Sequence, residues 1–424
     1  MTQSRIANPA FIEQVDIISN KPPRNTVSIL GGIISFVYYE SMLSDSLRAT
    51  ITFADTGAAK NDATNNTSVV EGLPIVGQEK VQIKFKDNND NKIGDKPELI
   101  LYVNSVKVID NDTTRSLVQL DLVSREFILN EKTRITKRYD GKLSETVKKL
   151  LEDKNSIGLE TEKDLFIEDT SNNFNFIGNN KKPFYVINWL ARKSVSSTNQ
   201  KLGKSAGYFF YERSDGYYFK SVDSLFSQEK KKSFIYTETT GVPKGYDANV
   251  LSFKKGNLID AQKKLQIGAY STRTILFDPF TTYYEVITPN AENNEDDLKL
   301  AGNNLPVLNP EFNQPGANKE FSRTTYYLLD KGTLASGDNE QQLEKKNEEN
   351  FEYSQILNQS IMRLNQFFSS QATITIAGDF SLHIGDAIYL DLPKLGIDRG
   401  KELDKQDSGL YIIAELTHLV DTNG

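Results

Sequence analysis

The sequence predicts an α+β protein, mainly β, with two similar antiparallel β-modules, a small α+β domain between them and an insertion. Three observations carry this. The 424 residues include 23 Phe and 19 Tyr, and aromatic residues favour strands. Period-two alternation of apolar and polar residues recurs in the first third and near the C-terminus. Helical spacing is confined to a middle stretch and to one segment near residue 360.

The elements follow in order. The N-terminus is polar through about Asn25. Ser28–Tyr39 is apolar and β-rich, broken by Gly31-Gly32. Leu47, Ala49, Ile51 and Phe53 alternate with Arg48, Thr50 and Thr52, a strand with one buried face. A loop of Asn, Thr and Ala spans about Asp55 to Ser68. Val81, Ile83 and Phe85 alternate with Lys80, Gln82, Lys84 and Lys86, and Leu99–Ile109 and Leu117–Val123 add two more strands. This is the pattern of an antiparallel barrel or sandwich.

The middle differs. Ser144 is placed to cap a helix whose Val147, Leu150 and Leu151 share a face. Pro183 opens a second helix with Ile187, Leu190 and Ala191. Tyr208–Tyr211 and Tyr217–Lys220 flank Ser214-Asp215-Gly216, a hairpin with an Asp-Gly turn. Asn257-Leu258-Ile259-Asp260 resembles a helix cap with Leu265 following, and Thr274–Phe277 and Thr282–Ile287 are strand-like. Asn290–Ala317 reads as loop. Gly337–Asn350 is polar and leads into an amphipathic helix bearing Tyr353, Ile356, Leu357, Ile361, Leu364 and Phe368. Thr373–Ala377, Ala387–Leu392 and Leu410–Val420 return to strand.

The two β-regions echo each other. Gly77 precedes strand Val81–Phe85, a polar loop and Leu101-Tyr102-Val103. Gly385 precedes strand Ile388–Leu392, a polar loop and Leu410-Tyr411-Ile412. Gly77 to Leu101 is 24 residues and Gly385 to Leu410 is 25. Read as a repeat, the echo means two similar barrels per chain, and three chains then present six in a ring, matching threefold to sixfold symmetry. The plainer alternative is coincidence of a common motif. The chain closes on Asn423-Gly424, a hairpin turn signal with no strand after it, so the expectation is either a truncated chain or a sheet completed by another segment.

Composition excludes much chemistry. There is no Cys, so disulfides, thiolate metal sites and cysteine nucleophiles are absent, which fits assembly in a reducing cytoplasm. Two histidines, His383 and His418, leave no multi-histidine metal site within one chain. Both lie in predicted strand regions, and there is no G-x-S-x-G elbow, GxGxxG or P-loop. The net charge of −7 runs against nucleic-acid binding and suits a conduit that repels DNA. The run Ile29–Tyr39 lies too far in and is too short for a secretory core or a membrane span. Asp87, Asn89, Asn91 and Glu98 occupy positions 1, 3, 5 and 12 of a calcium loop, but Lys92 holds the sixth position, where glycine is needed. A polar hairpin loop is the better reading. Asn65-Asn66-Thr67 and Asn66-Thr67-Ser68 match a glycosylation pattern without a signal peptide.

Four stretches in order then bring a family into view: Phe36–Ser41 with Ala49–Asp55; Ser124–Glu126 through Arg134, Tyr139, Gly141 and Ser144–Val147; Gly207–Glu212 with Asp215–Phe219 and Asp223–Leu225; and the last helix running into Ile374–Asp386. Together they resemble the central baseplate hub proteins of contractile-tailed (myovirus) phages, which are similar in fold to the base of type VI secretion spikes. Residues 268–350 match less closely.

The resemblance implies a structural, non-enzymatic homotrimer without cofactor, metal or membrane. Its two barrel domains make a pseudo-sixfold ring. One face receives the tail tube or a tube-adaptor protein and the other a spike protein; the channel passes the tape measure protein and then DNA, without sequence-specific contact. The protein then sits in the tail baseplate of the virion, assembled in the host bacterial cytoplasm.

The implied division is 1–128 first β-barrel, 129–225 α+β domain, 226–262 with 366–424 a discontinuous second β-barrel, and 263–365 an insertion with a helix near its end. Gly77, Gly378, Asp379, Gly385 and Asp386 are the candidate structural residues. Gly378-Asp379 and Gly385-Asp386 bracket Phe380–Ile384, and each glycine is free to take φ > 0 at a barrel corner.

Two rival functions remain. A carbohydrate-binding or carbohydrate-degrading tail protein accords with the aromatic, β-rich chain and requires an exposed aromatic groove with two facing carboxylates. A calcium-dependent adhesin rests on Asp87–Glu98.

Overall fold

A computed structural model describes residues 10–57, 68–93, 98–154, 158–198, 205–237, 241–256, 261–269, 272–279, 282–288, 311, 323–328, 339–340, 353–368, 370–394, 403–405 and 407–421. Strand outweighs helix, 44% to 19%, which places the chain in the mainly β class.

The first sheet is built from β1 (Phe11–Ile18), β2 (Thr26–Ser28), β3 (Ile33–Ser41), β4 (Arg48–Asp55), β5 (Lys80–Lys86), β6 (Leu99–Asn111) and β7 (Ser116–Val123), with helix α1 (Val69–Gly72) between β4 and β5. Alternation drives it. In β4, Ala49, Ile51 and Phe53 are buried, and in β5, Val81, Ile83 and Phe85 are. The Phe36 ring stacks on Phe85 at 4.2 Å between centroids. The strand order is β2-β1-β5-β6-β7-β4-β3-β21, the last being the C-terminal strand Glu415–Asp421, and every pairing is antiparallel.

The middle segment holds α2 (Arg125–Lys132), β8 (Arg138–Tyr139), α3 (Leu143–Glu152), β9 (Asp164–Ile167), β10 (Phe176–Ile177), α4 (Pro183–Ala191), β11 (Tyr208–Arg213), β12 (Gly216–Ser221) and α5 (Val222–Ser227). The hairpin forms where it was read, but its turn is Ser214-Asp215: Gly216 is already in β12 opposite Arg213 and does not take a positive φ. Pro183 stands at the start of α4. The cap on α3 does not form at Ser144: the helix starts at Leu143 after Lys142, and Ser144 is inside it and buried. Ser144 instead accepts the Thr170 amide at 3.3 Å, so tertiary contact takes the hydroxyl that a cap would use.

The rest comprises β13 (Lys232–Ile235), β14 (Ala248–Lys255), α6 (Ala261–Ile267), β15 (Thr272–Phe277), β16 (Tyr284–Ile287), β17 (Arg323–Leu328), α7 (Tyr353–Phe367), β18 (Ala372–Ile376), β19 (Ala387–Asp391), β20 (Gly409–Ile412) and β21 (Glu415–Asp421). Strands β18-β14-β13-β19-β20 form a second sheet and β16-β15-β17 a third. The second sheet is mixed, because β13 pairs in parallel with both β14 and β19. This departs from the all-antiparallel expectation.

Three further differences stand out. Phe11–Ile18 is a strand within the region read as polar, since Val15 and Ile17 alone carry its buried face. Leu410–Val420 is two strands broken at 413–414, and β21 crosses to pair with β3 in the first sheet. His383 lies in the loop between β18 and β19, not in a strand. The cap Asn257–Asp260, the turn Asn423-Gly424, the glycosylation motifs save Ser68, and the loops 55–68, 290–317 and 337–350 save 55–57, 68, 311 and 339–340 lie outside the described residues.

Candidate functional site: a carboxylate junction of three segments

Glu40 closes the run Phe36–Ser41 in β3 and is fully buried. A carboxylate out of water is costly unless its lone pairs are taken. Here Tyr38 Oη donates to it at 2.6 Å, the Ser214 amide at 3.0 Å and the Ile384 amide at 3.2 Å. His383 Nδ1 lies 3.3 Å away. Burial pushes the Glu40 carboxyl up, but His383, Tyr38 and Ser214 outweigh it and hold the group below its ordinary value. One side chain thus ties β3, the β11–β12 turn and the loop before β19.

A second carboxylate completes the knot. Asp386 accepts from the His383 amide at 2.9 Å, Lys231 Nζ at 2.8 Å and Arg213 Nη1 at 3.3 Å. Arg213 also bonds Asp215 at 3.2 Å and lies 4.5 Å from the centre of the Tyr218 ring. Gly385 sits between the two carboxylates with φ +80°, and a Cβ there would meet Tyr211 Oη at 2.3 Å. Its amide donates to Ile413 O at 2.8 Å. Asp379 pairs with Lys232 and accepts from Ser381 N at 3.0 Å.

The loop is also stitched to the first sheet at Asp87, which accepts the Phe380 amide at 3.1 Å. The same carboxylate accepts from Asn89 N at 2.8 Å and Asn91 N at 2.9 Å. Glu98 turns instead to Lys84 at 2.9 Å. The two ends of the calcium-like pattern therefore do not converge, and among the described residues no group of three acidic or histidine side chains is placed to hold a metal.

His418 on β21 stacks on Tyr38 at 6.2 Å and meets Phe380 edge-on at 4.9 Å. Burial pushes its pKa down to about 4. Nearby, Glu212 accepts the Leu47 amide at 3.0 Å and pairs with Lys163, which also lies 3.4 Å from Glu126. Burial opposes the Lys163 charge, but the two carboxylates outweigh it and hold the ammonium charged.

The structure thus gathers Asp379, Gly385 and Asp386 into one junction, with Gly378 just before it. Gly77 lies apart, at the head of β5 with φ +111° and open space around its Cβ position. Gly378 is not among the described glycines with positive φ. Glu79 accepts the Val76 and Gly77 amides at 2.9 Å, much as Asp386 accepts the His383 amide. The sequence reading places Ser214 only in a turn and His383 only in a strand, and gives Glu40 and Arg213 no role; the one local sign of the junction is an acid inside an apolar strand run. The arrangement joins segments of the chain that are far apart in sequence.

The echo has a structural counterpart. Tyr102 pairs with Lys80, three residues past Gly77, and Tyr411 pairs with Ile388, three residues past Gly385. Leu101 and Leu410 likewise pair with the fourth residue past each glycine, Val81 and Tyr389. The two hairpins share a pairing register but not a facing, since Val81 and Leu101 are buried while Leu410 is 59% exposed, and β5 has an antiparallel outer neighbour where β19 has a parallel one.

No family model matches the chain, and no curated protein matches it. Solved structures do. A tail protein from Neisseria meningitidis MC58 superposes with a TM-score of 0.53 at 7% identity, over 98% of this chain and 93% of that one. The 43 kDa tail protein of prophage MuSo2 from Shewanella oneidensis gives 0.51 at 9% identity, over 97% and 95%. A type VI secretion component from E. coli aligns over 60% of this chain and 57% of its own at 0.34 and 12% identity, too weak a likeness to bear on the fold. Among the described residues no helix is long and apolar enough to cross a membrane. At near full length on both sides, the chain has the fold of phage tail proteins.

Proposed function

We propose that the chain is the central hub of a contractile phage tail baseplate, a non-enzymatic homotrimer. The carrying observation is the shared register of the β5–β6 and β19–β20 hairpins, one in each large sheet. Two such modules per chain give three chains six similar positions around a ring. The full-length likeness to tail proteins supports this. The ring joins the tail tube or a tube-adaptor protein to a spike protein, and its channel passes the tape measure protein and DNA; the acidic net charge of −7 suits passage over binding. The domain division proposed is the one read from the sequence, with β21 lent to the first. Gly77, Gly378, Asp379, Gly385 and Asp386 shape the corners of the two modules. The Glu40 junction holds the modules and the α+β domain as one stiff body, which load transfer from tube to spike demands. The protein is a virion component assembled in the host cytoplasm.

Native mass measurement of the purified chain tests the reading. The expected species is three times the 47.8 kDa chain mass. A clean monomer at high concentration that binds neither tube nor spike protein overturns it.

One observation favours a second reading, a carbohydrate-binding tail protein. On one face of the third sheet, Phe277, Tyr284, Val286, Tyr326 and Leu328 lie in facing register and are all exposed. Screening against host polysaccharide decides it; neither binding nor cleavage removes it.

A further inference from the structure

The third sheet, β16-β15-β17, is mounted with its more polar face inward. On β15, Thr272, Thr274 and Leu276 are buried, and the residues between them turn to the other face. That other face carries Phe277, Tyr284, Val286, Tyr326 and Leu328, with Tyr326 75% and Leu328 67% exposed. A sheet packed on one side ordinarily keeps its apolar residues on the covered face.

The support is helix α7, and amide and hydroxyl groups make the contact. The Thr274 hydroxyl donates to Asn358 Oδ1. Asn365 Nδ2 donates to Ile267 O at 2.6 Å and Gln366 Nε2 to Ala269 O at 2.9 Å, where α6 leads into β15. On the covered side, Thr272 Oγ1 and Asn358 Nδ2 are buried without a hydrogen-bond partner among the described residues. Leu276, the buried apolar residue of the sheet, belongs to none of the apolar clusters that the described residues form.

The opposite side of α7 is held differently. Ile356 shares an apolar cluster with Val195 and Ala206. Leu364, Phe367 and Phe368 pack against the cluster that holds Phe209 and Val222, and the Phe367 ring lies 4.8 Å from that of Phe209. Arg363 pairs with Asp223 on the same side. The helix is thus part of the body, and the third sheet rests on it through polar groups.

Water replaces such hydrogen bonds at small net cost, whereas it opposes the exposure of apolar surface. Lifting the sheet exposes Leu276 and, by its helical spacing from Asn358 and Asn365, Met362. The outward aromatic face is already in water and resists nothing.

We propose that β16-β15-β17 is a reversibly docked module, which lifts from α7 as one unit while α7 and the two large sheets stay folded. Cooperative openings of this kind arise where few apolar contacts are buried. The module is the one yielding part set against the body that Glu40 ties together. None of this depends on the trimer reading.

The chain has no cysteine, so a single introduced thiol reports the opening. Thr272→Cys places one under the sheet; Ser360→Cys places one on the other side of α7, against Gly207. Both positions are fully buried. In the native chain a thiol reagent is expected to label Thr272→Cys at least about tenfold faster than Ser360→Cys. Adding Thr274→Val with Asn358→Leu replaces the polar pair by apolar groups of like shape and is expected to slow that labelling. Equally slow labelling of the two thiols overturns the proposal. So does fast labelling of Thr272→Cys that the double substitution leaves unchanged, since fraying of the strand then admits the reagent. Hydrogen exchange checks the same point in the unaltered chain. A small sheet needs a packed face for stability, so β15 amides are expected to exchange through an opening that β4 and α7 amides do not share. Protection of β15 equal to that of β4 overturns the docked module.

Discussion

The carboxylate of Glu40 accepts the amide hydrogen of Ser214 at 3.0 Å although 174 positions separate them in sequence. Through this bond the first sheet grips the turn of the β11–β12 hairpin, and the same carboxylate reaches Ile384, 344 positions away.

Replacing Glu40 by Gln keeps the shape but removes the charge that four neighbours are arranged to meet. A buried polar group left unmatched costs about 1–3 kcal/mol. Glu40→Gln is expected to lower the unfolding free energy by that amount, read as a lower denaturant midpoint at unchanged slope. An unchanged midpoint shows that the junction does not hold the segments together.

Gly385→Ala and Gly77→Ala form a matched pair. Both glycines have left-handed φ, which costs an alanine about 1–2 kcal/mol. Only Gly385 also abuts Tyr211 Oη, whereas nothing lies within 4 Å of the Gly77 position. Gly385→Ala is therefore the more destabilising, and adding Tyr211→Phe recovers part of the loss. Equal thermal shifts for the two alanine variants rule out the steric part of this account.

His418 makes stability depend on pH. Its folded pKa of about 4 lies below the ordinary 6.5, so the unfolded chain binds the proton more readily. The contribution is full above pH 6.5, shrinks as pH falls from there, and is gone below about 4, for a total of roughly 3 kcal/mol. Glu40, also held low, adds a loss at more acid pH. Unfolding measured from pH 7.5 to 4.5 is expected to show a slope that His418→Phe flattens. The same slope in both proteins excludes His418 as its source.

Arg363 of α7 is buried, donating to Asp223 Oδ1 at 2.7 Å and to Ala206 O at 2.7 Å. Arg363→Ala removes the cation facing a buried carboxylate, an effect of about 3–5 kcal/mol. Arg363→Met with Asp223→Leu is expected to be much milder. If the single and double variants melt alike, the cost lies in packing and not in the charge.

Much of the β-structure was legible. Strands β4, β5 and β7 follow from alternation, and the β11–β12 hairpin falls where it was read although its turn is Ser214-Asp215 and not Asp-Gly. The apolar face of α7, with Ile356 and Leu357 buried, follows from helical spacing. Its buried polar residues, Asn358, Gln359, Ser360, Arg363 and Gln366, did not show, because polar residues on a helix read as solvent-facing until partners surround them. Strand β1 was hidden by Glu13, Gln14 and Asp16 between its apolar positions.

By itself the sequence determined where the chain extends, where it turns and that two stretches share a Gly-strand-loop-Leu-Tyr plan, because each is a local preference of backbone and side-chain period. The tertiary structure alone decided that β21 joins β3, that β13 runs parallel to its neighbours, and that Glu40, Arg213, His383 and Asp386 meet. Such choices set segments hundreds of residues apart against one another. Burial and hydrogen-bond satisfaction settle them, and no local pattern encodes either.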